Sequence, residues 1–502
     1  MGSSCRRDRP EHLRGVPTCA ACCAVSLSIG VTRMSAKSEQ SAAALRLAFY
    51  GDDFTGSTDA LEVLAFAGLR CALFLKAPSS QKLSQLGGFD AIGVAGDSRG
   101  MSPSEMDRSL PPLFEALHAL DAPILHYKVC STFDSGPAIG SIGRVLEIAR
   151  AGITRNPVPI VAGTPALKRY CAFGNLFARS GTDNKTYRID RHPIMSAHPV
   201  TPMAEGDLLR HLALQTALPL SGFQLPNLEG TREEVDLAWS KAISTGDSGI
   251  LLDSVTPRHL TEVGRLLDNY ATAVGSVFTI GSSGVEYALT QWWRELGSLP
   301  ETQRSYDRIA PTTQILAISG SASPLSSAQI DAAITAGFAE IAIDAKALVR
   351  EDSWQRTAQN IAVRTIALLS EGRSVIMHTA RGPSDTRIAE MLEYFTARGL
   401  THDDARHQGG RLLGQRLGAI ANDVLEATHL QRLVLSGGDT SSQVTQVLGP
   451  DALEIDGRLA VGAPLCRVIS EKPHLRNLQL ALKGGQMGDQ NFFVIARDGI
   501  TR

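Results

Sequence analysis

Several features that would assign this sequence at once are missing, and each absence narrows what the chain can do. Lysine plus arginine (49) and aspartate plus glutamate (51) nearly cancel, 49 − 51 = −2, so no net field draws the chain to nucleic acid or to an anionic membrane. Aromatic residues make up only 5%, too few for a base-stacking platform. No apolar run reaches the roughly 18 residues a membrane-spanning helix needs. Four of the eight cysteines precede residue 24, and Cys71, Cys130, Cys171 and Cys466 are scattered without a repeated spacing. That pattern suits reduced thiols in the cytoplasm, not a disulfide frame. Cys19 and Cys22 have the spacing of half a zinc site, with no second pair to complete it. The P-loop pattern G-x-x-x-x-G-K-[ST] is absent, and so is G-x-G-x-x-G after a first strand. A P-loop enzyme is excluded, and a dinucleotide-dependent dehydrogenase is disfavoured.

What remains is the composition of a globular enzyme, 43% hydrophobic and 20% charged over 502 residues, long enough for two or three domains. Residues 1–44 stand apart. Arg6, Arg7, Arg9 and Arg14 precede a short, mildly apolar run from Ala20 to Val31 that carries Cys22 and Cys23. This is a poor secretory signal. It is expected to be a disordered leader or a start assigned too far upstream, with Met34 as the alternative start.

From Leu45 onward, short apolar runs alternate with helical periods. Strands are expected at Leu45–Tyr50, Cys71–Leu75, Ala91–Ala95, Ile124–Val129, Val158–Gly163, Gly249–Val255 and Val277–Gly284. Helices are expected near Leu110–Ala119 and Gly140–Ala151, and another after the first strand, with Leu61, Leu64, Ala65 and Gly68 on one face. Ala166–Thr201, rich in Gly, His, Pro and Arg, reads as a long irregular binding loop or lid. Leu296–Thr313 reads as a linker. A second series follows, with strands at Ile315–Ser319, Glu340–Asp344, Ser374–His378, Arg432–Ser436 and Leu478–Lys483. The expected fold class is α/β: two domains, over 45–296 and 314–502, each a largely parallel sheet flanked by helices.

In open parallel sheets ligands bind beyond the carboxyl ends of the strands, so the residues following each strand are the candidates. The first strand runs into GDDFTGSTDA (Gly51–Ala60). Asp52 and Asp53 offer a carboxylate to take a hydroxyl proton, and Thr55 opens a helix whose N-terminus favours an anion. The structural alternative is a capped turn, with Asp53 or Thr55 as the N-cap. Later strand ends carry Asp97, Ser98 and Arg99, then Lys128, Cys130, Ser131 and Thr132. Cations there suit a carboxylate or phosphate, although a surface Arg and a snorkelling Lys would look the same. In the second half SGSAS (Ser319–Ser323), SGGDTSS (Ser436–Ser442) and KGGQMGD (Lys483–Asp489) each follow a strand. Small residues with free backbone N–H groups at helix starts make anion nests, most simply for nucleotide phosphates, whereas tight glycine turns are the structural alternative. His192 and His198, six residues apart among prolines, read as part of a polar loop and not as a metal pair.

Taken in order, GDDFTGSTDA, Asp97–Arg99, Tyr127–Thr132, HPVTPM (His198–Met203), GSSG (Gly281–Gly284), SGSAS, SGGDT and KGGQMG resemble the four-carbon acid sugar kinase family over nearly the whole chain after Leu45. The resemblance implies an amino-terminal sugar-acid domain, a carboxy-terminal ATP domain, and a reaction in the cleft between them on a terminal hydroxyl of a small sugar acid. It places Asp53 as the base and Lys128 as the group that neutralises the substrate carboxylate or developing charge. Asp52, Thr55, Arg99, Cys130, Ser131 and Thr132 would join them around the acceptor. Ser321 or Ser323, Gly437, Gly438, Asp439, Thr440, Gly484 and Gly485 would meet ATP. Mg²⁺ is expected with ATP, held largely by phosphates and water, and no protein ligand for it is identified in the sequence. Members commonly read DSTxRG after the Lys, whereas this chain reads CSTFDS (Cys130–Ser135). Losing the usual Arg and gaining Asp134 resembles the branch acting on 3-oxo-isoapionate, ahead of 3-oxo-tetronate, erythronate or threonate. A two-domain α/β binding protein is the non-enzyme alternative. The expected partner is a small molecule, with neither nucleic acid nor membrane. The sequence specifies no oligomeric state.

Overall fold

The computed structural model describes residues 45–500 except 182, 199 and 301–304. The leader expected over 1–44, with Cys19 and Cys22, lies outside the described residues. In the N-terminal half the strands are β1 (Leu47–Gly51), β2 (Cys71–Phe74), β3 (Ala91–Ala95), β4 (Ile124–Lys128), β5 (Val158–Val161), β6 (Arg169–Ala172), β7 (Asn175–Arg179), β8 (Thr186–Arg188), β9 (Leu220–Phe223), β10 (Gly249–Leu252) and β11 (Val277–Gly281). The C-terminal half contributes β12 (Leu316–Ser319), β13 (Ala339–Ala342), β14 (Val375–His378), β15 (Arg432–Ser436), β16 (Ala452–Ala460), β17 (Ala463–Ile469) and β18 (Gln479–Lys483).

The α/β class holds, but the two halves do not keep separate sheets. β2-β3-β1-β4-β11-β5-β10-β9 run parallel in that order, and so do β13-β14-β12-β15-β18. The β16–β17 hairpin pairs antiparallel with β18 on one side and with β2 on the other, fusing everything into one 15-stranded sheet. The strands read as unbroken apolar runs because helices cover both faces. Along β1, Leu47 and Phe49 pack into one core and Ala48 and Tyr50 into the core on the other face. The first of these cores is continuous across both halves and passes through Leu453, Ile455, Cys466 and Val468 of the hairpin.

The hairpin escaped the sequence reading for a physical reason. Glu454, Asp456, Arg458 and Arg467 interrupt its apolar residues, so it alternates where a parallel strand would run unbroken. β9, LSGF at the sheet edge, has too little apolar content to stand out. The segment expected to be irregular, Ala166–Thr201, contains a small antiparallel sheet, β6-β7-β8. Its first turn places Phe173 and Gly174 at φ 51° and 74°, the left-handed geometry of tight hairpins. Gly68 does not extend the first helix. Phe54–Phe66 ends before it, and Gly68 at φ 96° terminates the helix as Leu69 N–H donates to the Leu64 carbonyl and its own N–H to that of Ala65. The described residues after 304 in the expected linker Leu296–Thr313 pack against the rest of the chain. Ile309 is buried and bridges to Ile500, and the Tyr306 ring lies 4.8 Å from that of Phe66.

Candidate active site

Strand order reverses direction at one point in each half, the place where a doubly wound sheet opens a crevice. In the first half the chain departs from β1 to β3 and β2 on one side and to β4 on the other; in the second it departs from β12 to β14 and β13 on one side and to β15 on the other. The residues singled out from the sequence lie at these two points.

At the first point the registers align Gly51 of β1 with Ala95, Lys128 and, through β4, Gly281. Backbone bonds extend the ladder past the strand ends: Asp52 N–H donates to the Lys128 carbonyl (2.8 Å) and Arg99 N–H to that of Asp52 (3.0 Å). The Asp52 carboxylate is buried and grips Arg99 through both oxygens, at 3.1 Å from Nε and 2.9 Å from Nη2. The same Nη2 lies 3.0 Å from Asp53 Oδ1. Burial alone would lower the Arg99 pKa, but the two carboxylates outweigh it and hold the guanidinium charged.

Asp53 is the N-cap of the Phe54–Phe66 helix, accepting from Gly56 N–H at 2.8 Å. The structural alternative is therefore real, and it leaves a function open. Oδ1 carries the cap and the ion pair, while Oδ2 makes no hydrogen bond among the described residues. Lys128 is 2% exposed and donates to the Val129 carbonyl at 3.0 Å. A Cβ on Gly56 would sit 2.4 Å from Asp53 Oδ1 and 3.0 Å from Lys128 Nζ. A larger residue there would push on the acid and the amine that flank the helix start.

These groups border a cavity of about 590 Å³ between the two halves. Asp53, Thr55, Arg99, Lys128, Cys130 and Ser131 line it; Asp52 and Thr132 stand one layer behind. The altered segment folds on itself. Thr132 Oγ1 donates to Asp134 Oδ1 (2.5 Å) and lies 3.0 Å from Cys130 Sγ, while Thr201 Oγ1, from the HPVTPM stretch, donates to Asp134 Oδ2 (3.2 Å). Burial would raise the Asp134 pKa, but the Arg99 charge and hydrogen bonds from Thr132 and Cys130 bring it below the usual carboxylate range. Burial, with the charge of Asp134 adding to it, pushes the Cys130 thiol up to about 11. His192 and His198 serve the loop: each Nδ1 accepts backbone N–H groups, from Ile194 and Met195 and from Thr201. Among the described residues no group of three or more His, Cys, Asp or Glu side chains could hold a metal ion.

Several lining residues were not singled out from the sequence. Asp59 and Glu62 follow Thr55 along the cavity face of the first helix, and Tyr287, Thr290, Gln291 and Arg294 lie along the Gly284–Glu295 helix. Their spacings, 55-59-62 and 287-290-291-294, are those of one helix face, a signal masked by the apolar stripe opposite. Burial raises the Asp59 pKa against the pull of Lys128. Arg458, Val461, Gly462 and Met487 come from the C-terminal half, and no sequence signal joins them to the first motif.

At the second point Ser319, Ser436 and Lys483 end adjacent strands in register. Ser323 caps the Pro324–Thr335 helix, accepts from Ser326 N–H (3.0 Å) and donates to the Gly485 carbonyl (2.6 Å); Ser321 Oγ accepts from Ser323 N–H (3.2 Å). Gly437, at φ 113°, opens the Gly438–Leu448 helix, with Asp439 in its first turn. The loops are packed too closely for side chains. A Cβ on Gly320 would lie 1.9 Å from Thr440 Oγ1, and one on Gly485 2.2 Å from Ser321 Oγ. Ser321, Ser323, Gly437–Thr440, Gly484 and Gly485 thus form one rim, outside the cavity lining. The two groups meet at Gly438, where a Cβ would lie 3.6 Å from Thr55 Oγ1.

Two family models match the chain in succession. Residues 47–289 match a family model described as a sugar-binding N-terminal domain, and residues 316–493 one described as a nucleotide-binding C-terminal domain. A 3-oxo-isoapionate kinase of Paraburkholderia graminis is 42% identical over 459 residues, 91% of this chain and 95% of that protein. A 3-oxo-tetronate kinase of Cupriavidus necator is 26% identical over 442 residues, 88% of this chain and 94% of that one. The crystal structure of Haemophilus influenzae protein HI1011 superposes with a TM-score of 0.66 at 21% identity, covering 90% of this chain and 99% of that one, a likeness of fold. With a sugar-binding half followed by a nucleotide-binding half, and a relative 42% identical along nearly its whole length, the chain belongs to the four-carbon acid sugar kinase family.

Proposed function

We propose that the protein transfers the γ-phosphate of ATP to a terminal hydroxyl of 3-oxo-isoapionate, in the cytoplasm and with Mg²⁺. The observation that carries the transfer is the meeting of Gly438 with Thr55. It sets the N-terminus of the Gly438–Leu448 helix against that of Phe54–Phe66. Two helix N-termini brought this close together favour the negative charge of a phosphoryl group passing between their sites. Ser321, Ser323, Gly437–Thr440, Gly484 and Gly485 would hold the nucleotide, and the cavity beside Asp53 the acceptor.

In this reading the acceptor hydroxyl gives its proton to Asp53 Oδ2 as its oxygen attacks the γ-phosphorus and ADP leaves. Lys128 neutralises charge on the transferring group, and Arg99, fixed by Asp52, orients Asp53. Such transfer rests on positioning and charge, not on covalent catalysis. Mg²⁺ would supply charge neutralisation between the phosphates and keep mostly phosphate and water ligands. The acid is chosen on the 42% relative, a 3-oxo-isoapionate kinase, and on the Asp134–Thr132–Thr201 network. That network puts an acid where the family commonly carries an arginine.

The test is coupled ADP release with the purified protein across 3-oxo-isoapionate, 3-oxo-tetronate, erythronate and threonate. The highest kcat/KM is expected on 3-oxo-isoapionate. Turnover of tetronates alone would overturn the substrate, and no thermal stabilisation by saturating Mg·ATP would overturn the kinase and favour a binding protein.

A further inference from the structure

We infer that Arg169 is the residue that receives the carboxylate of the sugar acid. The inference rests on the acceptor reading above and names a contact that reading leaves open. An anionic acceptor entering this cavity meets Asp53, Asp59 and Glu62, so its carboxylate needs a cation not already neutralised. Most of the nearby cations are committed. Arg99 is held by Asp52 and Asp53. Arg458 is paired with Glu62 at 2.8 Å. Lys128 donates to Val129 and lies within the electrostatic reach of Asp59 and Asp52. Arg294 stands exposed at the rim, where hydration weakens any pair it forms.

Arg169 is different. It opens β6, and its backbone is tied on both sides to Thr164: Arg169 N–H donates to the Thr164 carbonyl (3.1 Å) and Thr164 N–H to that of Arg169 (2.9 Å). Thr164 Oγ1 in turn lies 2.6 Å from Ser282 Oγ. The stem is therefore anchored at the ends of β5 and β11, beside β4. Its Nη1 donates to the carbonyls of Leu167 (3.1 Å), Lys168 (3.3 Å) and Arg179 (3.2 Å). Leu167 lines the cavity together with Cys130 and Ser131. Nε is buried without a hydrogen-bond partner, and Nη2 makes none among the described residues. No carboxylate of the described residues forms an ion pair with it. Burial accordingly lowers its pKa, with only the Cys130 thiol nearby to counter that. Arg169 thus stands directly behind the cavity wall at Leu167, and a guanidinium held by carbonyls at Nη1, paired with no carboxylate and with Nη2 unspent, is prepared for an anion that reaches past that wall. Asp134 cannot serve, being an acid satisfied by Thr132 and Thr201.

The experiment compares wild type, Arg169→Met and Arg169→Lys by ADP release, using 3-oxo-isoapionate and its carboxamide. A charge-assisted bond lost in a partly buried site is expected to raise KM for the acid about 10- to 100-fold in Arg169→Met, with KM for ATP unchanged. Arg169→Lys keeps the charge without the fork and is expected to fall between. The carboxamide should cost wild type the same factor, and Arg169→Met should lose nothing further on it, because one interaction cannot be removed twice. Equal KM values for wild type and Arg169→Met on the acid, or losses that simply add in the cycle, would overturn the role of Arg169 while leaving the kinase standing. If wild type phosphorylated none of the acids the proposed function would fail, and calorimetric titration of 3-oxo-isoapionate would still decide this point. Binding lost in Arg169→Met and partly kept in Arg169→Lys would support the contact, and equal or absent binding throughout would refute it. Should Arg169→Met fail to fold, the Arg169→Lys and carboxamide arms on folded protein carry the same comparison.

Discussion

Asp53→Asn separates the two tasks that fall on Asp53. As an N-cap it accepts from Gly56 N–H at 2.8 Å, and asparagine caps a helix about as well as aspartate, within a few tenths of a kcal/mol. The ion pair to Arg99 is lost, but Arg99 keeps both oxygens of Asp52, and a partly exposed pair such as this contributes up to about 1 kcal/mol. The variant is therefore expected to lose about 1 kcal/mol of stability or less. As a base the amide is useless, since it cannot take a proton from the acceptor hydroxyl. General-base assistance contributes about 10²- to 10⁴-fold, so kcat is expected to fall by at least 10², about 3 kcal/mol or more in the barrier. Asp53→Ala loses the cap as well, costing about 1 kcal/mol more stability, without a further fall in rate. The assay is kcat from coupled ADP release, alongside ATP affinity from calorimetry and unfolding in denaturant. Retention of kcat within a few-fold of wild type by a folded Asp53→Asn protein would refute the base assignment and leave Asp53 as a cap alone.

Lys483 is 2% exposed, donates to Ser436 Oγ (2.9 Å) and to the Gly484 carbonyl (3.1 Å), and is held by burial at a pKa of about 8, against 10.5 for a free lysine. Between those two values the unfolded chain binds the proton and the native state does not, so native stability gains as pH rises through that window; below about 8 both states are charged and the gain is absent. The stability of wild type relative to Lys483→Met should therefore climb by about 3 kcal/mol from pH 7.5 to 10.5 in denaturant titrations, and a flat difference would show that Lys483 is not desolvated. Gly320→Ala would set a methyl 1.9 Å from Thr440 Oγ1, driving apart two loops proposed to hold ATP. Calorimetry should show ATP binding weakened on the order of tenfold or more with binding of the acid unaltered, and equal loss of both would point to general unfolding.

Much of the site was legible because it sits at the ends of buried parallel strands. Those strands are nearly unbroken apolar runs, so their carboxyl ends, and hence Asp53, Arg99, Lys128, Ser321 and Gly437, could be located without knowing the strand order. The cap ambiguity at Asp53 was also visible. The residues that were missed face the cavity from elements whose exposed stripe is masked by a stronger buried one, as with Asp59 and Tyr287. Others come from the β16–β17 hairpin, whose charged residues hid it. The short strands of the sheet β6–β8 carry too little periodicity to be recognised, so the placement of Arg169 is not legible either.

By itself the sequence determined the α/β class, the catalogue of strand-end loops and the order of the motifs, since each of these follows from local periodicity and local turn chemistry. Tertiary structure decided which of the loops are neighbours. The Thr55 and Gly438 loops are 438 − 55 = 383 residues apart in a chain of 502, and they meet within one sheet whose two parallel blocks the β16–β17 hairpin joins. Tertiary structure also decided which charges are spent and which are free. Arg99, beyond the end of β3, and Arg169, at the start of β6, are the same residue type, yet one is neutralised by two carboxylates and the other by none among the described residues, because pairing is set by packing distances that a linear sequence does not carry.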